Sequence, residues 1–64
     1  MEFVVIGLDG AVVMRTNALA CMSANQIKAQ RSAGYRFRAV ADTPEEHEAL
    51  LDMGLRKAEI KCSM

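Results

Sequence analysis

The chain has one histidine, His47, in the run Pro44-Glu45-Glu46-His47-Glu48. An imidazole among carboxylates is the raw material of an acid/base pair or a metal site. Helical spacing decides whether it can work as one. A second ligand would have to stand four residues away, and those positions hold Thr43 and Leu51. Thr43 is already needed to cap the helix that begins at Pro44. His47 therefore reads as a histidine at the edge of an apolar stripe. Cys21 and Cys62 show no paired spacing, and one histidine cannot complete a tetrahedral zinc site with them unless an acid or a second chain contributes. They read as free, mostly buried thiols behaving as small hydrophobes. Ser23, Ser32 and Ser63 stand in no nucleophile-elbow pattern. Asp9-Gly10 marks a turn, and the four glycines are too scattered for a phosphate loop. The sequence thus predicts no catalytic residue, no metal ligand, no cofactor and no enzyme.

What remains is charge. Arg36 and Arg38 alternate with Tyr35, Phe37 and Ala39, so they share one side of a strand. Arg15, Glu59 and Lys61 fall on comparable positions of other strands and are expected to join them. Arg15, Tyr35, Arg36, Arg38 and Lys61 are the candidate binding residues. Two chemistries suit them. One is contact with a protein partner. The other is single-stranded nucleic acid, with basic side chains on phosphates and Tyr35 as a stacking ring. Eight basic residues balance eight acidic ones, and this neutrality disfavours nucleic acid.

The elements that must position these residues are legible in order. Glu2 to Asp9 reads as a strand with two apolar faces, either central or covered on both sides. Asp9-Gly10 predicts a two-residue type I′ hairpin turn. Ala11 to Arg15 returns as a second strand, with Val12 and Met14 on one face. Ala18 to Ala33 is rich in helix formers and stops at Gly34. Ser23-Ala24-Asn25-Gln26 matches a capping box within it. That leaves two readings, one continuous helix or a break at Ser23, the latter a helix-turn-helix in outline. Tyr35 to Ala41 is a third strand with Tyr35, Phe37, Ala39 and Ala41 on its apolar face. Thr43-Pro44-Glu45-Glu46 opens a second helix with an N-cap, a proline at N1 and a capping-box glutamate. Its buried stripe is expected at Leu50, Leu51 and Met53, and Gly54 ends it. Ala58 to Cys62 alternates as a fourth strand with Ala58, Ile60 and Cys62 facing in.

The order β-β-α-β-α-β predicts an α+β two-layer sandwich in a single domain of residues 1–64, a small mixed sheet with two helices on one face. A hydrophobic content of 52% fits a globular chain. No basic-led apolar leader opens the sequence, and its longest apolar run is too short to span a bilayer. The expectation is a cytoplasmic protein without membrane contact. In a chain of 64 residues, burial and chain entropy nearly cancel, and self-association is a usual remedy. A homodimer that also binds one protein partner is expected. It would be a regulator or inhibitor of the kind phages and mobile elements encode, with a nucleic-acid-binding regulator as the alternative.

Overall fold

A computed structural model describes residues 1–17 and 22–63. The elements are β1 (Glu2–Ile6), β2 (Val12–Thr16), α1 (Ala24–Ser32), β3 (Arg36–Ala41), α2 (Pro44–Asp52) and β4 (Ile60–Cys62), with a 3₁₀ turn at Lys57–Glu59. The sheet order is β2-β1-β3-β4. β1 runs antiparallel to both β2 and β3, and β3 runs parallel to β4. The expected small α+β fold with a mixed sheet is the one observed. Phe3 and Val5 of β1, with Phe37, Ala39 and Ala41 of β3, share one sheet face. Ile27 of α1 and Leu50 of α2 press into that same face, so both helices cover one side. Leu55, in the turn after α2, completes the core. The Phe3 and Phe37 rings meet at 6.0 Å in a tilted arrangement.

The first hairpin differs from the two-residue turn the sequence predicts. Gly7 N–H donates to Ala11 O at 2.8 Å, and Gly10 N–H donates to Gly7 O at 3.0 Å. Leu8, Asp9 and Gly10 therefore form a three-residue loop. Gly10 alone among them has positive φ, at 84°. A type I′ turn would need left-handed backbone at two successive residues, which Leu8 and Asp9 resist. The Asp9 carboxylate instead accepts the Ala11 N–H at 3.0 Å, which holds the loop. The register then slips at Ile6, which pairs with Val12 while Val5 pairs with Met14. This bulge separates Val12 from Met14, which were expected to share a face.

The helix ends follow their local chemistry. Ser23 caps α1, its side chain accepting Gln26 N–H at 3.2 Å while Gln26 returns the bond to Ser23 N–H at 2.8 Å. Of the two sequence readings, the start at Ser23 is the one realised; a preceding short helix would fall on 18–21, outside the described residues. Thr43 caps α2, accepting Glu46 N–H at 3.1 Å. The Glu46 carboxylate reaches past the cap to Asp42 N–H at 2.7 Å, so the predicted box closes one residue early. Gly54 takes φ 102° after α2, which a side chain would oppose. Leu50 is fully buried, whereas Leu51 and Met53 are half-buried.

The fourth strand is shorter than alternation suggests. Lys57–Glu59 winds into a 3₁₀ turn, so Ala58 is exposed and Glu59 leaves the strand pattern. Cys62 is a free, exposed thiol, contrary to the expected burial, because β4 is an edge strand at the end of the sheet. Cys21 lies outside the described residues.

One polar clasp ties the chain ends to the sheet. The Met1 ammonium donates to Asp42 Oδ2 at 2.5 Å, and Ser63 Oγ donates to Asp42 Oδ1 at 2.5 Å. Hydrogen bonding to Asp42 holds the ammonium above its ordinary value of 8.0. The same bond, with that from Ser63, holds the Asp42 carboxyl below its ordinary 3.8. The clasp's stabilisation is therefore complete between about pH 4 and pH 8. It is lost as pH falls through the lowered Asp42 value, and again as pH rises through the raised ammonium value. Thermal melts of the parent and Asp42→Asn across pH 3 to 10 check this. Their difference in Tm should be widest between those limits and shrink on both sides. A difference that is constant with pH would mean that the clasp does not contribute.

Candidate functional site

The helices cover one sheet face, and no described element crosses the other. Strand alternation and register place the side chains there in rows. Arg15, Val4 and Arg38 form one row across β2, β1 and β3. Val12, Ile6 and Arg36 form the next. Glu2, Val40 and Lys61 form the third, across β1, β3 and β4. Strands lie about 4.8 Å apart, so Arg15 and Arg38 straddle Val4 across roughly 10 Å of backbone. Val4 is only 1% exposed although no helix lies over it. Arg15 Nε lies 3.9 Å from Glu2 Oε2 with both side chains exposed, a pair too solvated to hold the arginine firmly.

Four of the five residues singled out from the sequence, Arg15, Arg36, Arg38 and Lys61, therefore share one face. Tyr35 does not. It precedes β3 with the parity of Phe37 and packs against the core on the helix side. Glu59 also leaves this face. It sits in the 3₁₀ turn and pairs with Arg31.

Tyr35 instead meets Arg36 and Arg38 around the edge of β3. β4 pairs only with Ala39–Ala41, so β3 has no strand neighbour on that side from Arg36 to Arg38. A cleft of about 600 Å³ opens there, lined by Arg31, Tyr35, Arg36, Arg38, Arg56 and Glu59, with Phe37 and Ile6 as apolar wall. Four of the chain's five arginines line it. Arg31 is fixed in place. It binds the Glu59 carboxylate, donates from Nη1 to Gly54 O at 3.1 Å, and lies 5.4 Å from the centre of the Phe37 ring. Glu59 Oε1 also accepts Arg56 N–H at 2.7 Å.

Arg31 and Arg56 are the residues sequence reasoning missed. Both stand near helix ends, where a cation reads as a response to the helix dipole. Nothing local shows that Arg31 will meet a glutamate 28 positions along the chain. His47 is half-buried on α2. Among the described residues no three His, Cys, Asp or Glu side chains group as a metal site would require. No helix among them is long and apolar enough to cross a membrane.

Fold and site together define a small two-layer α+β protein with one arginine-bearing sheet face, uncovered by any described element, and an arginine-lined cleft at its rim. No protein-family model, curated protein or solved structure matches the chain.

Proposed function

We propose that this chain is a non-enzymatic interaction protein that docks its open sheet face on an acidic surface of another protein and modulates it. The observation that carries this reading is the makeup of that face. Ile6, Val12 and Val40 form an apolar centre around the buried Val4, and Arg15, Arg36, Arg38 and Lys61 frame it. An apolar centre within a charged rim is the usual anatomy of a protein interface. A standard interface takes about 800 Å² per partner. That is roughly a fifth of the chain's 4147 Å² of surface, within reach of a single face. Stacking on nucleic-acid bases would need a ring on this face, and Tyr35 is turned to the other side.

Self-association fits the same reading. Among the described residues, the large hydrophobics most exposed to solvent, Leu8 at 70%, Val12 at 48% and Val13 at 59%, cluster on the first hairpin. β2 is the adjoining sheet edge. Two copies pairing antiparallel along β2 would continue the sheet and present both arginine faces on one side. Light scattering should then give twice the chain mass, and Val13→Lys should return the chain to a monomer. A monomeric parent chain at high protein concentration would rule this pairing out. An exposed free thiol at Cys62 suits the reducing cytoplasm.

Site-specific photo-crosslinking in lysate of the source organism tests the docking face. A crosslinker at Val40, on the open face, should give a discrete protein adduct that survives nuclease treatment. Arg15→Glu with Lys61→Glu should remove the adduct. A crosslinker at Glu48, exposed on α2, should not form it. An adduct destroyed by nuclease would transfer the face to nucleic acid, and equal yields from both positions would end the docking reading. The Arg36→Glu, Arg38→Glu variant should fold with its Tm within a few degrees of the parent, because both residues are exposed. Its unfolding would overturn the face assignment.

A further inference from the structure

We propose that the cleft at the free edge of β3 is a binding site for a dianionic phosphate group, as carried by a phosphomonoester. This inference does not rest on the docking face, although Arg36 and Arg38 belong to both. The chain is neutral overall, yet four of its five arginines line this one cleft against a single glutamate. That glutamate is already spent. Its carboxylate holds the Arg31 guanidinium and the Arg56 backbone N–H. The guanidinium groups of Arg36, Arg38 and Arg56 make no ion pair or hydrogen bond with described residues. Three unpaired cations lining one cleft repel one another, and an anion between them relieves the repulsion.

The geometry favours phosphate over carboxylate. One guanidinium fork satisfies both oxygens of a carboxylate. A phosphate monoester carries close to two charges and three acceptor oxygens, which can engage three forks at once. All of the cations here are arginines, the side chain suited to planar bidentate contact with phosphate oxygens. The cleft is also partly preorganised. Arg31 pins the 3₁₀ turn that carries Glu59, and with it the position of Arg56. About 600 Å³ leaves room for the group that bears the phosphate, against Tyr35 and Phe37.

The phosphate could belong to a small metabolite or to a phosphorylated side chain, and the experiment separates the two. Backbone amide shifts are followed by NMR as inorganic phosphate is added at constant ionic strength. Saturable shifts are expected at residues 34–38 and 56–59. Arg56→Gln should weaken binding about tenfold, the loss of one charge-assisted fork. Arg15→Gln and Lys61→Gln, on the open face but outside the cleft, should change it by less than twofold. The same titration with a sugar phosphate and with a phosphoserine tripeptide then shows which carrier binds more tightly. Shifts reproduced by sodium chloride or acetate at equal ionic strength would overturn the proposal, as would an Arg56→Gln variant that binds like the parent. Loss of the docking adduct in the Arg15 and Lys61 variants concerns the other face and leaves this result untouched.

Discussion

Replacing Leu50 by alanine should lower the free energy of unfolding by about 3 kcal/mol, the mid-range cost of truncating a fully buried leucine. Leu50 has no exposed surface and belongs to the central cluster with Phe3, Ile27 and Phe37. It is the one fully buried residue of α2, so it carries most of that helix's attachment to the sheet. A domain of this size is stable by roughly 3 to 10 kcal/mol. The substitution removes a large share of that, and Tm should fall by about 12 to 24 °C. Leu51→Ala is the matched control. Alanine keeps the helix propensity of the site, and Leu51 is only half-buried, so about 1 kcal/mol is expected there. Urea and thermal unfolding followed by circular dichroism compare the two variants. Equal losses would mean that α2 does not present Leu50 to the core.

Arg31→Ala should cost about 2 kcal/mol, an unusually large loss for a charged residue at a helix end. Three contacts go together: the Glu59 carboxylate, the Gly54 carbonyl and the face of the Phe37 ring. The Arg31 and Glu59 side chains are 24% and 18% exposed, so water screens the pair in part without replacing it. Removing the arginine leaves Glu59 with the Arg56 N–H as its remaining hydrogen bond. Arg31→Met retains the stem over Phe37 and should recover part of the loss. Arg31→Lys should recover less than charge alone implies, since an ammonium cannot fork between a carboxylate and a carbonyl. A double-mutant cycle with Glu59→Gln should give a coupling of about 1 kcal/mol. A coupling near zero would reduce the pair to a surface ornament. The same substitution should also loosen the 3₁₀ turn and weaken phosphate binding at the cleft.

The open face was largely legible in the sequence. Alternation alone placed Arg36 and Arg38 opposite Phe37, and strand-like patterning put Arg15 and Lys61 in reach of them. Tyr35 went astray because alternation assigns it to the helix side, with Phe37, as the packing confirms. Glu59 went astray because three residues of 3₁₀ winding interrupt a pattern that reads as strand. The cleft was not legible. Arg31 comes from the last turn of α1 and Arg56 from the turn after α2, and only the meeting of those two segments brings them beside β3.

The sequence by itself determined the element order, the start of α2, both glycine stops and, for α1, a choice between two starts of which Ser23 was one. These depend on groups within about four residues of one another: Ser23 with Gln26, Thr43 with Glu46, and a backbone that must take positive φ at Gly54. Tertiary structure decided the strand order β2-β1-β3-β4, the slip at Ile6, the bare stretch of the β3 edge and the gathering of four arginines around it. Each of these is settled by packing between segments far apart in the chain. Burying Phe3, Ile27, Phe37 and Leu50 together fixes where every strand must lie, and the arginines are carried to the cleft by a core in which only Arg31, stacked on Phe37, takes any part.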